Sequence, residues 1–155
     1  MKFTSRGRYA VRAMIDLAYH TLEHPVSLAT IAARQGISQH YLEQLFVRLR
    51  RAELVRSVRG PGGGYFLAKE PRAISVRDIF LAVDESLSTP ECAKLTNPDQ
   101  EPCDRLDECV SRVIWKRVAD QVAQALDSVS LEDLCMEREK LDKSEVFSHT
   151  YGFNI

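Results

Sequence analysis

The sequence predicts a mainly α-helical chain: three amphipathic helices in its first third, a short two-stranded hairpin behind them, and a long helix near its C-terminus. Three observations carry this expectation. Apolar residues recur at intervals of three and four before residue 51 and again after residue 105. Four of the seven glycines fall between positions 60 and 64, with a short apolar run on either side. Prolines at 90, 98 and 102 break the stretch that separates the two helical parts.

The first helix covers about 9–20, where Ala10, Ala13, Met14, Leu17 and Ala18 share a face that Val11 and Ile15 widen. After Glu23-His24-Pro25, Ser27 is placed to cap a second helix with Leu28, Ile31 and Ala32 on one side, and Gly36 ends it. Ser38 is placed to cap a third helix. There Tyr41, Leu42, Leu45, Phe46 and Leu49 repeat at three and four, while Gln39, His40, Glu43, Gln44, Arg48, Arg50 and Arg51 form a polar, basic side. Two strands, 54–58 and 65–68, flank the glycines, and a further helix covers about 76–83. The segment 84–104 reads as a loop. Asp104 is then a plausible N-cap for a helix to about 129, with a stripe of Leu106, Val110, Val113, Ile114, Val118, Val122, Ala125, Leu126 and Val129. A shorter helix over 131–140 and an irregular tail after Asp142 complete the chain.

At 155 residues, 45% hydrophobic and 28% charged, the chain has the profile of one compact core with an appended helical element. The opening residues precede no apolar stretch of signal-peptide length, and no apolar run has the length of a membrane span; a cytoplasmic protein with no membrane partner is expected. Net charge is −1, but residues 1–90 carry a balance of +5 and residues 91–155 one of −6. A basic N-terminal part is what a polyanion would select; arginines scattered over a solvated surface are the alternative.

Helix, short helix, glycine turn, helix, then hairpin is the order of a winged helix-turn-helix, with a long C-terminal dimerisation helix appended. In that arrangement Ser38, His40, Tyr41, Glu43 and Gln44, at the exposed start of the third helix, are placed to reach base edges in a major groove. A phosphate loop would need G-x-x-x-x-G-K-[ST] leading into a helix. No Lys-Ser or Lys-Thr follows the glycines here, and the next segment is extended. Arg59 at a glycine-rich hairpin tip fits a wing that touches a minor groove or phosphates; a plain turn with a solvated arginine fits the local sequence as well.

Cys92, Cys103 and Cys109 fall within eighteen residues, the last near the start of a helix whose macrodipole favours thiolate. A reducing compartment argues against structural disulfides. Thiolates are the ligands that iron–sulfur clusters and zinc both use, and three unrelated small buried residues are the other reading. No fourth ligand stands out. One turn after Cys109 is Arg112, which cannot coordinate; Asp107, Glu108, Cys135 or a group from another subunit remain open. Cys135, beside Leu131 and Leu134, is equally a core thiol, and His20, His24, His40 and His149 are isolated. The stripe of the long helix is more than one small domain covers, so it either pairs with a second copy or packs back on the first helix.

The chain resembles the iron–sulfur cluster regulator (IscR) family of winged-helix transcription factors. The resemblance rests on residues 4–11, Gln35-Gly36-Ile37-Ser38, Tyr41 to Phe46, Ser57 to Tyr65, Ala82 to Ser86, the three cysteines and Trp115, and covers residues 1 to about 140. It implies a homodimer that binds double-stranded promoter DNA and holds a 2Fe-2S cluster on Cys92, Cys103 and Cys109. Such a regulator senses iron–sulfur status and controls iron–sulfur assembly or related genes. The resemblance also implies DNA contacts at Ser38, Tyr41, Glu43, Gln44, Arg59 and Pro61. His40 stands where the family has a serine, and Arg112 where its best-known members place a histidine ligand.

The domains implied are 1–84 for DNA binding, 85–104 for the cluster loop, 105–140 for dimerisation helices, and 141–155 as a flexible tail. The competing classes are a cluster-free thiol-redox or ligand-responsive regulator and a zinc-stabilised interaction module without DNA binding. No nucleophile–base pair or paired carboxylates suggest an enzyme.

Overall fold

The structure, a computed structural model, describes residues 4–21, 24–85 and 109–150, the last seven by backbone alone. The cysteine-bearing segment expected at 85–104 thus lies, apart from Glu85, outside the described residues. With it go Cys92, Cys103, Asp107 and Glu108.

Helix α1, Ser5–His20, starts four residues ahead of the expected position. Residues 5–8 carry no apolar repeat, so their helicity is set from outside that pattern: Thr4 is the N-cap, and its hydroxyl accepts from the Arg6 N–H at 3.2 Å. Helix α2, Leu28–Gln35, is capped as expected by Ser27, whose Oγ accepts from the Thr30 N–H at 3.1 Å. Gly36 closes it with φ +62°, a left-handed conformation that suits glycine. The chain then turns into α3, Gln39–Arg51, which buries Leu42, Leu45, Phe46 and Leu49. Ser38 is the N-cap residue, but its hydroxyl makes no capping hydrogen bond, unlike the expectation; only its carbonyl is used, accepting from Leu42 N–H at 3.0 Å.

Strands β1, Val55–Val58, and β2, Gly64–Leu67, pair antiparallel from Val55↔Leu67 to Val58↔Gly64. The hairpin is fastened at its base, because Val26 and Tyr65 exchange backbone hydrogen bonds at 3.0 and 2.9 Å. Phe46 meets the Tyr65 ring in a T-shaped contact, with centroids 4.8 Å apart, which packs α3 against the hairpin. A 3-10 turn at Pro71–Ala73, absent from the sequence reading, leads into α4, Val76–Ala82, whose start is a reciprocal capping box between Ser75 and Asp78.

Helix α5 runs Val110–Asp127 with Cys109 as its N-cap in extended conformation (φ −85°, ψ 97°). This corrects the expectation of Asp104 as the cap of one helix to residue 129, since an extended residue at 109 cannot lie inside a helix. Helix α6, Leu131–Thr150, is also longer than expected and takes in most of the segment read as an irregular tail. From 131 to 150 the sequence has neither glycine nor proline. Ser130 and Asp133 exchange hydrogen bonds at the start of α6, and Arg138–Asp142 and Glu137–Lys140 pair along its surface.

The core gathers Met14, Leu17, Ile31, Phe46, Ile79 and Leu131, all fully buried. Leu131 belongs to α6, and its N–H donates to Ile74 at 2.8 Å. Helix α6 therefore returns to the first domain and packs on α1, where Arg138 lies over the Tyr19 ring at 4.6 Å. The element that folds back on the first helix is α6, whereas α5 packs against α4.

Candidate nucleic-acid interface

Helix α3 is amphipathic in a way that divides its labour. Its apolar side is spent on the core, and Ser38, His40, Glu43 and Gln44 are exposed on the other. Those four lie within two turns of the helix N-terminus, and three of them are hydrogen-bonded: Gln39 Nε2 donates to Glu43 Oε1 at 3.2 Å and Gln44 Nε2 lies 3.2 Å from His40 Nε2. Tyr41 stands apart. It is half-buried, its ring T-shaped against Tyr9 with centroids 5.9 Å apart, so only part of it is open to solvent.

At the hairpin tip Arg59 and Pro61 are both exposed, and among the described residues nothing pairs with the Arg59 guanidinium. The glycines beside them divide into two kinds. A Cβ on Gly63 would sit 2.4 Å from the Val58 carbonyl oxygen, and one on Gly64 would sit 2.5 Å from that of Val26. Those two are demanded by the protein's own close packing. Gly60 and Gly62 have positive φ with open space around them, which leaves the tip free to approach another molecule.

Cys109 is half-buried at the N-terminus of α5, its Sγ 3.0 Å from Ser111 Oγ and taking no part in capping. A thiol presented at the positive end of an eighteen-residue helix suits an iron–sulfur ligand. Among the described residues no three metal-ligating side chains come together, Cys92 and Cys103 lying outside them. Burial pushes the Cys135 thiol above its ordinary value despite nearby Arg138.

Two polar assemblies that sequence reading passed over hold the interface in place. Asp16, wholly buried, accepts from Arg34 Nε at 3.1 Å and from its Nη2 at 2.5 Å, and from Gln35 Nε2 at 2.8 Å. This clamps α1 to α2, the helix that precedes α3. Its only signal in the sequence is a carboxylate beside Leu17 on an otherwise apolar face. Second, Arg48 on α3 pairs with Asp84, a residue in left-handed conformation (φ +52°) at the end of α4. Neighbouring Glu85 is buried against the start of α1.

The first part of α5 exposes an apolar cluster. Val110, Val113, Ile114 and Trp115 are 83%, 55%, 53% and 41% exposed, an arrangement unusual for a surface that faces only water. Among the described residues no helix is long and apolar enough to cross a membrane.

A helix-turn-helix whose second helix shows a polar face, followed by a hairpin wing whose tip arginine has no partner among the described residues, defines a winged helix-turn-helix transcriptional regulator. The chain belongs to the Rrf2 family, described as iron-dependent transcriptional regulators, whose family model matches residues 3–137. It is 49% identical over 142 residues to the HTH-type transcriptional regulator IscR of Photorhabdus laumondii, covering 92% of this chain and 84% of that protein. With IscR of Xenorhabdus nematophila the identity is 46% over 145 residues, 94% and 85% of the two chains. Among solved structures, T. potens IscR matches with a TM-score of 0.73 at 41% identity over 91% of this chain and 90% of that one. CymR, the global cysteine regulator of B. subtilis, matches with a TM-score of 0.71 at 41% identity over 88% and 98%. The chain is accordingly a DNA-binding regulator of the IscR/Rrf2 type and not an enzyme.

Proposed function

We propose that this chain is a cytoplasmic homodimer that binds promoter DNA and senses iron–sulfur status through a 2Fe-2S cluster held on Cys92, Cys103 and Cys109, controlling iron–sulfur assembly or related genes. The observation that carries the DNA half is the row of exposed hydrogen-bonding side chains on a helix whose other face is wholly committed to the core. Ser38, His40, Glu43 and Gln44, with the open part of Tyr41, meet base edges, while Arg59 and Pro61 at the tip meet the backbone or minor groove. The Ser38 hydroxyl is available because it is not spent on capping. A second copy covers the apolar cluster of α5, which brings two reading helices to two half-sites.

Functionally the chain divides into a DNA-binding part over 1–84, a cluster segment over 85–104 and a dimerisation part from 105, with α6 shared between the dimerisation part and the core. The cluster reading draws support from the placement of Cys109 and from the iron-dependent description of the family. A neighbour at 34% identity, Staphylococcus aureus CymR, has been solved in an oxidized form, which supports a second reading, a cluster-free thiol-redox regulator.

Anaerobic purification followed by visible absorption and iron and sulfide analysis separates the two. The cluster reading expects a coloured protein with iron and sulfide in equal amounts, and a Cys109→Ala variant that is bleached. A protein that holds neither element even after reconstitution leaves only the cluster-free regulator.

A further inference from the structure

Positions 40, 43 and 44 share one face of α3 by helical spacing, so a residue at 40 with enough reach meets both of the longer side chains that follow it. Here that residue is histidine. Its Nδ1 is 3.8 Å from Glu43 Oε2, and its Nε2 is 3.2 Å from Gln44 Nε2. An amide nitrogen only donates, so His40 Nε2 is the acceptor. In the neutral ring the proton then sits on Nδ1, facing the carboxylate of Glu43. The other carboxylate oxygen of Glu43 accepts from Gln39 at 3.2 Å. One imidazole therefore accepts from the Gln44 amide, fixing its orientation, and sets its Nδ1–H 3.8 Å from the Glu43 carboxylate, an electrostatic contact longer than a hydrogen bond.

Both effects bear on base recognition. An amide reads adenine by donating and accepting at once, so which end of Gln44 faces outward decides whether that pair is made. A bare carboxylate on a DNA-facing helix is repelled by phosphates and gains only where a base offers a donor, as cytosine N4 does. A donor beside it softens that demand. We propose that His40 is a specificity-determining residue that acts through its two neighbours: it sharpens the preference at the base pair read by Gln44 and relaxes the preference at the one read by Glu43. This rests on the assignment of α3 as the reading helix.

The test measures the binding of the full-length chain, loaded or cluster-free but kept the same throughout, to a randomised duplex pool, with preferences resolved position by position. Glu43→Ala and Gln44→Ala first mark the base pairs each residue reads. His40→Ala is expected to lower the preference at the Gln44 position by about fivefold or more and to raise the cytosine preference at the Glu43 position. His40→Gln, whose amide reaches where Nε2 was, restores the first effect alone, and His40→Asn, which mimics Nδ1, restores the second alone. The ring is 80% exposed, so all three variants are expected to melt like the parent. A His40→Ala variant that changes affinity equally for every sequence, or not at all, overturns the proposal while leaving the reading helix intact. A parent chain without any sequence preference overturns both.

Discussion

The carboxylate of Glu85, just past the end of α4, closes the N-terminus of α1 by accepting the backbone N–H of Gly7 at 2.9 Å. The same carboxylate accepts the Thr4 N–H at 2.7 Å and the Thr4 hydroxyl. A negative charge at a helix N-terminus is stabilised by the macrodipole as well as by these donors. Gly7 permits the approach, since a Cβ there would lie 2.9 Å from Glu85 Cγ. Gly7→Ala is expected to cost about 1–3 kcal/mol by overpacking, read as a lower urea midpoint with an unchanged slope.

The same contact sets a pH dependence. Burial pushes the Glu85 carboxyl up, but the hydrogen bonds from Thr4 and Gly7, with the charge of Arg6, outweigh it and hold the group below its usual 4.5. A depressed folded-state value means that the stabilisation is complete above the unfolded value and lost as pH falls through the folded one. Glu85→Gln is therefore expected to lower stability at neutral pH and to flatten the acid limb of the stability curve. An acid limb unchanged in that variant would place the titrating group elsewhere.

Arg34→Ala leaves the wholly buried Asp16 with Gln35 and His20 in place of a cation. The expected loss is about 2 kcal/mol or more, below the full range for a buried pair because Arg34 is itself 32% exposed. Thermal unfolding of Arg34→Ala, Asp16→Ala and the double variant measures the coupling. Additive losses would show that the two side chains stabilise the fold independently.

Arg59→Ala is expected to weaken duplex binding for all sequences alike and to reduce the salt dependence by about one counterion. Titrations at several salt concentrations measure both. An unchanged affinity and slope would remove the hairpin tip from the interface.

Ile114→Asp places a charge in the apolar cluster of α5. Because Ile114 is 53% exposed in the single chain, the substitution is expected to leave the monomer folded and to prevent dimer formation. Sedimentation velocity reads the result directly; a variant that remains dimeric would move the interface off α5.

The helix-turn-helix was legible because each of its signals is local. Ser27, Gly36 and the repeat from Leu42 to Leu49 each act within a few residues, and the structure has caps, turn and buried face at those positions. The hairpin was legible for the same reason. The starts of α1 and α5 were not. The first depends on a carboxylate 78 residues away in sequence, and the second on an extended backbone at Cys109, and neither leaves a periodic trace. The length of α6 was missed because the residues after Asp142 carry no sustained apolar repeat, and only the lack of glycine and proline up to residue 150 favours a helix there.

By itself, then, the sequence determined the class of the fold and the polar face that α3 presents, since propensity, capping and periodicity are short-range properties. Tertiary structure alone decided which helix folds back on α1, which glycines of the tip serve the protein's own packing, and which face is left without a partner. Those outcomes turn on contacts between residues far apart in the chain, such as Leu131 with Ile74 and Gly64 with Val26, whose geometry exists only once the core has closed.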